Sequence, residues 1–213
     1  MNRLSVEQFR ESQKLPLIVV LDDVRSLYNV GSVFRTCDAF RVEALYLCGI
    51  TATPEPVMAD DGTTILRDST LKASQEIHKT ALGAEESVRW QYFKDARDAV
   101  QALKDSGITV LAVEQCHGST MLQYFMPEFP VSPEHPDSLP HKGYAVVFGN
   151  EVKGVHQEVV DLCDDCLEIP QYGTKHSLNV AVTAGIVIWH FSNMSRQIPS
   201  VTPDQYTNDI YLT

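Results

Sequence analysis

The 213-residue sequence is poor in basic residues, with 17 lysines and arginines against 28 acidic residues and a formal net charge of −11. This balance has the wrong sign for a protein that grips nucleic acid over its whole surface. Contact with RNA or DNA would therefore need a local basic patch, or one spread over two subunits. No apolar run approaches the length that crosses a bilayer, so no membrane span is expected.

The sequence also lacks the marks of a secreted protein. Its five cysteines are an odd number in a chain of this length, which argues against a disulfide framework. The first apolar run, residues 15–21, is short, contains a proline and leads directly into two aspartates, unlike a signal peptide. The expected location is cytoplasmic.

Metal-ligand patterns are sparse. Cys163 and Cys166 form a CxxC, but no second pair completes a zinc site, and the spacing to His156 matches no common ligand pattern. Two interpretations stay open: structural zinc or redox chemistry, and two half-buried cysteines at the end of a helix. The small number of ligands favours the second, and no metal is expected.

The hydrophobic pattern predicts an α/β fold with a mostly parallel sheet. The apolar run LIVVL at residues 17–21 is typical of a strand buried on both faces, and strand-like and helix-like stretches alternate after it. Residues 116–142, with five prolines, predict a long surface loop. Further strands are expected at Ala44–Cys48, Val88–Phe93, Ile108–Val113, Tyr144–Phe148 and Cys166–Ile169, and helices at residues 5–13, Val30–Phe40, Leu71–His78, Asp95–Asp105, His156–Cys163 and Ser177–Met194.

The first candidate functional stretch is NVGSVFR, residues 29–35, which follows the first strand. Gly31 permits close backbone approach, and the start of the next helix offers free N–H groups to an anion. The guanidinium of Arg35 suits a phosphate. The alternative is an asparagine that caps the helix and a surface arginine. The stretch is neither a Walker A loop nor GxGxxG, so it gives a nicotinamide enzyme no support.

The second stretch is FGNEVKG, residues 148–154, at the carboxyl end of a buried strand. Ligands of α/β sheets bind at such strand ends, and the two glycines that flank Asn150 and Glu151 permit an exposed loop with its backbone turned toward a ligand. The alternative is an ordinary loop in which Glu151 is solvated.

The third stretch is IPQYGTKHSLNVAV, residues 169–182. Pro170 and Gly173 end a strand, and Ser177 is a candidate cap for the helix that follows. This helix is apolar on nearly every side, which predicts burial in a core or an interface. Asn179 inside it is expected to be a buried amide that needs partners, in a functional or a purely structural role.

Together and in this order, the three stretches resemble the three motifs of the SpoU (TrmH-type) group of the SPOUT methyltransferase superfamily. The resemblance runs from about Leu17 to Phe191. It implies a deep trefoil knot in the C-terminal third of an α/β sheet and a homodimer. It divides the chain into an N-terminal extension at 1–16, a methyltransferase domain at 17–195 and a tail at 196–213.

The resemblance also implies S-adenosylmethionine as cofactor and a ribose 2′-hydroxyl of RNA as methyl acceptor, with tRNA favoured over rRNA. The alternative is a non-catalytic assembly factor of the same fold that binds RNA or S-adenosylmethionine. The implied catalytic residues are Arg35, Asn29, Glu151, Ser177 and Asn179. The implied cofactor-binding residues are Val113, Glu114, Gln115, Phe148, Gly149, Asn150, Gly154, Ile169, Gln171, Gly173, Ser177 and Leu178.

Overall fold

The computed structural model describes residues 4–59, 65–67, 69–129, 142–175 and 177–195. One sheet is built from β1 (Leu15–Asp22), β2 (Val42–Cys48), β5 (Trp90–Phe93), β6 (Thr109–Val113), β7 (Thr120–Met121), β8 (Tyr144–Phe148) and β9 (Asp165–Glu168). Its order is β5-β2-β1-β8-β6-β9-β7, and every neighbouring pair is parallel. Two short strands, β3 (Val57–Met58) and β4 (Ile65–Arg67), form a separate antiparallel pair.

Helices cover both faces of the large sheet. The core on one face takes apolar residues from α1 (Val6–Glu11), α2 (Leu27–Phe40), α3 (Leu71–Ala81), α4 (Ala84–Ser87) and α7 (Val180–Ser195). The core on the other face takes them from α5 (Ala96–Asp105) and α6 (Gln157–Val160). None of the helices in the described ranges has the length and apolar character that a membrane span requires.

The strand β1 shows why both faces are apolar. Successive side chains of a strand point to opposite faces, so Leu17, Val19 and Leu21 enter the core beneath α2 and α7. Ile18 and Val20 enter the core beneath α5. The continuous run of apolar residues is therefore the pattern of a central strand, and the predicted α/β fold with a mostly parallel sheet is confirmed.

Several element boundaries differ from the sequence prediction. The prediction of a loop over 116–142 is wrong at Thr120–Met121, because these two residues form β7 and pair with β9. Residues 130–141 of the predicted loop lie outside the described ranges. The predicted helix over 156–163 is reduced to α6, Gln157–Val160. The predicted tail from residue 196 also lies outside the described ranges.

The N-terminal helix follows its capping signal. The side-chain oxygen of Ser5 accepts from the backbone N–H of Gln8 at 3.2 Å, and the Gln8 side chain accepts from the N–H of Ser5 at 2.9 Å. This reciprocal pair satisfies two backbone donors that a helix start leaves free. Phe9 of the same helix is buried in the core that contains α2, so α1 packs on the domain.

Gly31 of α2 supports a first prediction. A Cβ at this position would lie 2.1 Å from Thr80 Oγ1 and 2.3 Å from the carbonyl oxygen of Ile77, so α3 has no room for a methyl group. We expect Gly31→Ala to lower the free energy of unfolding by about 2 kcal/mol. Its neighbour Ser32 is only partly buried, and we expect the control Ser32→Ala to change that free energy by less than about 0.5 kcal/mol. Equal urea midpoints for the two variants would contradict the packing argument.

Candidate functional site

A cleft of about 260 Å³ opens at the carboxyl ends of β6, β8 and β9. Parallel α/β sheets bind ligands at this edge. Three segments that are distant in sequence form its walls, and they include nearly all residues expected to bind a cofactor. The lining residues from that set are Val113, Glu114, Gln115, Phe148, Gly149, Asn150, Gly154, Ile169, Gln171, Ser177 and Leu178. The remaining one, Gly173, is exposed and does not line the cleft.

The loop after β8 is closed by its own hydrogen bonds. Asn150 and Gly154 exchange two backbone hydrogen bonds of 2.9 Å each. The side-chain oxygen of Asn150 accepts from the N–H groups of Val152 and Lys153, and its amide nitrogen donates to the carbonyl oxygen of Asp23 at 2.8 Å. The buried Asn150 side chain thus shapes the loop from within.

The two glycines of this loop are required by close contacts. A Cβ on Gly149 would lie 2.0 Å from the carbonyl carbon of Gly154, so only glycine lets the two ends of the loop meet. Gly154 has φ of +72°, and a Cβ there would lie 2.1 Å from the Glu114 carboxylate. That carboxylate accepts from the N–H of Val155 at 3.1 Å, which joins the end of β6 to the loop after β8.

Glu151 lies at the start of α2 and connects it to the same loop. Its carboxylate accepts from the backbone N–H of Arg25 at 3.1 Å, from that of Ser26 at 3.0 Å and from the side-chain amide of Asn29 at 3.0 Å. A carboxylate is favoured at this end of a helix because the helix dipole is positive there. The sequence predicted that the start of α2 could bind an anion. Among the described residues, the Glu151 carboxylate is the anion that lies there.

The surroundings of Glu151 also change its acidity. Burial alone would raise the pKa of Glu151, but the N–H groups of Arg25, Glu151 itself and Ser26, together with the Asn29 amide, outweigh it and lower that pKa below its ordinary value. The carboxylate is consequently ionised at neutral pH and remains a hydrogen-bond acceptor.

Asn29 and Asn179 link α2 to α7. The Asn179 amide nitrogen donates to the Asn29 side-chain oxygen at 3.1 Å, and the Asn179 side-chain oxygen accepts from the N–H of Ala181 at 2.9 Å. Asn179 therefore caps α7, and the prediction that Ser177 caps it is wrong. The prediction that Asn179 is buried is also wrong, because it lies exposed at the helix start. Ser177, likewise exposed, lines the cleft.

Arg35 stands apart from this network. It is exposed and makes no hydrogen bond or ion pair with any described residue. It is six residues beyond Asn29 on α2, about 9 Å along the helix axis. Gly31, between the two, is buried against α3, so the expected close approach of its backbone is to a helix and not to a ligand. The structure thus brings together Asn29, Glu151 and Asn179 and leaves Arg35 outside this network.

Some features of this edge were missed by the sequence argument. Glu168 and Leu167 of β9 line the cleft, and Glu168 accepts from the Ser119 hydroxyl at 2.6 Å. Their position next to Ile169 at a strand end was the signal that could have identified them.

A second missed feature is the group of Asp22, Asp23 and His156 at the end of β1. Their ligand atoms lie within 4.8 Å of one another, the one such group found among the described residues. The His156 Nδ1 atom lies 2.9 Å from an Asp22 oxygen, so these side chains already interact with each other.

Comparison with known proteins adds a family to this geometry. The sequence profile of the SpoU rRNA Methylase family matches residues 57–189. The 23S rRNA (guanosine-2'-O-)-methyltransferase RlmB of Neisseria meningitidis is 26% identical over 188 residues, 88% of this chain and 62% of that protein. The tRNA (guanosine(18)-2'-O)-methyltransferase of Aquifex aeolicus is 29% identical over 182 residues, 84% of this chain and 70% of that protein. The chain therefore spans about two thirds of the length of these relatives.

A solved structure supports the fold. The AdoMet-bound rRNA methyltransferase from Sinorhizobium meliloti superposes with a TM-score of 0.63 over 86% of this chain and 61% of that chain, at 21% sequence identity. At this identity the likeness concerns the arrangement of strands and helices.

The Glu151 network supports a second prediction, for Glu151→Gln. The side-chain amide of the glutamine would place an N–H group opposite a backbone N–H that now donates to a carboxylate oxygen. We therefore expect the free energy of unfolding at pH 7 to fall by about 1 kcal/mol. The folded-state pKa of Glu151 is lowered, so its stabilisation is present above the ordinary value of 4.5 and is lost as pH falls through the folded value.

The measurement is urea unfolding of wild type and Glu151→Gln at several pH values. The difference between them should be constant at neutral pH and shrink as the pH falls below 4.5, the ordinary pKa of a glutamate. The exposed Glu158, in the first turn of α6, offers a control, and Glu158→Gln should differ little from wild type across the range. A difference that persists unchanged in acid would show that Glu151 does not stabilise the fold through its charge.

Proposed function

The chain belongs to the SpoU rRNA Methylase family, and on that premise we propose that it transfers a methyl group from S-adenosylmethionine to a ribose 2′-hydroxyl of RNA. Both sequence relatives described above are named as 2′-O-methyltransferases, one of rRNA and one of tRNA. The observation that carries the proposal is the hydrogen-bonded series Glu151–Asn29–Asn179, which borders a cleft at the carboxyl edge of the sheet. Family membership also implies the trefoil knot expected for the C-terminal third.

The residues that line the cleft suit the cofactor in polarity and charge. Val113, Phe148 and Ile169 give it apolar surface for an adenine ring, and Gln171 and backbone groups of the surrounding loops offer hydrogen bonds. Three carboxylates, those of Glu114, Glu151 and Glu168, also line it and complement a cationic ligand. S-adenosylmethionine would supply an electrophilic methyl group on a positively charged sulfonium.

Methyl transfer of this kind depends on alignment more than on strong acid or base catalysis. In the proposed mechanism, Asn29, Ser177 and Asn179 hold the ribose at the edge of the cleft. The Glu151 carboxylate has accepted three protein hydrogen bonds, so its role is to position Asn29. Arg35 is not used as a base in this mechanism, because a guanidinium is a hydrogen-bond donor without an acceptor site. Its exposed guanidinium instead binds a phosphate and stabilises the charge that develops on the 2′-oxygen.

The RNA would be held by a small basic set around the cleft. Arg25, Arg35, Lys153 and Lys175 are all exposed, and none forms a salt bridge with a described residue. In this proposal these exposed cations contact the phosphates of RNA despite the net charge of −11. We favour tRNA over rRNA as the substrate.

The proposal includes a homodimer formed through α7. Leu178, Val182, Ile186 and Trp189 follow one another at helical spacing and are 41%, 52%, 37% and 56% exposed. An exposed apolar stripe of this kind marks a protein interface. Because Leu178 also lines the cleft, the interface would lie beside the methyl acceptor.

The dimer can be tested by sedimentation equilibrium. We expect wild type at twice the chain mass of 23.8 kDa and Ile186→Glu as a monomer, because a buried unpaired carboxylate opposes association. Leu71, 76% exposed at the start of α3, provides the control, and Leu71→Glu should remain dimeric. A monomeric wild type, or two variants with the same mass, would refute an interface through α7.

The catalytic proposal is tested by transfer of labelled methyl from S-adenosylmethionine to total RNA, followed by mapping of the modified nucleotide. We expect Arg35→Ala to lose at least about 100-fold in transfer, the scale of one electrostatic group, with nearly unchanged cofactor affinity by calorimetry. The control Arg97→Ala alters an exposed arginine on the opposite face of the sheet and should keep full activity. Tight cofactor binding without transfer to any RNA would instead favour a non-catalytic assembly factor.

A further inference from the structure

Two cysteines that are 50 residues apart in sequence meet beneath the cleft. The Sγ of Cys166 lies 2.8 Å from the Sγ of Cys116 and 3.5 Å from the carbonyl oxygen of Glu114. Cys166 is buried in β9, while Cys116, just after β6, is partly exposed. The sulfur of Cys166 therefore contacts that of Cys116, and not that of Cys163, the other cysteine of the CxxC sequence.

The pair lies where two walls of the cleft join. In the ladder between β6 and β9, Ala112 is level with Cys166, and the N–H of Glu114 donates to the carbonyl oxygen of Leu167 at 3.1 Å. Cys116 thus directly follows the wall formed by residues 113–115, and Cys166 directly precedes the wall formed by residues 167–169. A bond between the two sulfurs would connect both walls.

We propose that Cys116 and Cys166 are a covalent modification site, at which a small-molecule disulfide such as oxidised glutathione converts the two thiols into an intramolecular disulfide. The sulfurs need to approach by less than about 1 Å to reach a bond length of about 2.05 Å. Cys166 is held in β9 by the parallel ladder with β6, and Cys116 lies in the loop three residues after β6, so the bond forms without a rearrangement of the sheet.

The chemistry proceeds in two exchange steps. The thiolate of the more exposed Cys116 attacks one sulfur of oxidised glutathione, forms a mixed disulfide and releases one glutathione thiolate. The sulfur of Cys166 then attacks the Cys116 sulfur, releases the second glutathione and gives up its proton to that leaving thiolate. Two protein thiols are oxidised to one disulfide, and one glutathione disulfide is reduced to two thiols.

The other cysteines are poorly placed for this reaction. Cys163 donates its thiol to the carbonyl oxygen of Val159 at 3.2 Å, whereas Cys166 donates to the sulfur of Cys116. Cys37 and Cys48 are fully buried in the two cores on opposite faces of the sheet. Cys163→Ser is therefore the matched control for changes at the pair.

The experiment treats the full chain with oxidised glutathione and measures intact mass and peptide maps. Wild type and Cys163→Ser should lose two hydrogens and give one peptide link, Cys116 to Cys166. Cys166→Ser should stop at the mixed disulfide with glutathione, and Cys116→Ser should form no internal disulfide. Oxidised wild type should also melt roughly 5–15 °C higher than reduced wild type. A link that involves Cys163, or an internal disulfide in Cys116→Ser, would overturn the assignment.

A second measurement tests whether the disulfide affects ligand binding in the cleft. This part of the inference rests on the proposed function. Calorimetry with S-adenosylmethionine should give at least about threefold tighter binding to oxidised than to reduced wild type, because the disulfide holds the two walls in place. Complete disulfide formation with unchanged affinity would overturn the link between the pair and the cleft. Absence of cofactor binding to either form would overturn the proposed function while leaving the modification site established.

Discussion

The Glu151 carboxylate accepts hydrogen bonds from the backbone just ahead of α2 and from the Asn29 side chain, so one charged group holds the loop after β8 against the start of a helix. Asn29 in turn accepts from Asn179, which caps α7. The loop after β8, the start of α2 and the start of α7 are therefore connected by one series of hydrogen-bonded polar side chains. The low pKa of Glu151 keeps its charge in place at neutral pH, and with it the hydrogen bonds on which this edge of the sheet depends.

The other carboxylates of the cleft are similarly engaged. Glu114 accepts from the N–H groups of Gln115 and Val155, and Glu168 accepts from the Ser119 hydroxyl. Parallel strands end with backbone donors that need partners, and in this protein acidic side chains supply many of them. Much of the negative charge near the cleft is thus used to shape loops, while the basic side chains beside it remain exposed.

The architecture was predictable from sequence because its signals are local. The β-branched run of β1 and the Ser5 capping box each specify an element with little help from distant residues. The third stretch was harder. An apolar helix can have the same composition whether all of its sides are buried or one face is exposed. The exposed Val182 and Trp189 could therefore not be distinguished from core residues in the sequence.

Other details depend on contacts across the fold. Gly31 packs against α3, and Cys116 in the loop after β6 meets Cys166 of β9. Neither contact leaves a pattern in nearby sequence. The two residues of β7 are too few to show the alternation of a strand. The order of the motifs indicated which strand ends would meet. The hydrogen bonds that join Asn29, Glu151 and Asn179 could not be predicted from the sequence, because they depend on the relative positions of distant segments.

The position of β8 in the sheet has a consequence for biosynthesis. It lies between β1 and β6, both of which precede it in the chain. Until β8 is synthesised, β1 is paired with β2 at one edge and unpaired at the other, and β6 has two unpaired edges, because its other neighbour β9 comes later still. Unpaired strand edges invite association between chains. Tyr144–Phe148 therefore joins two parts of the sheet that are synthesised before it, and a chain that ends before this segment would expose those strand edges.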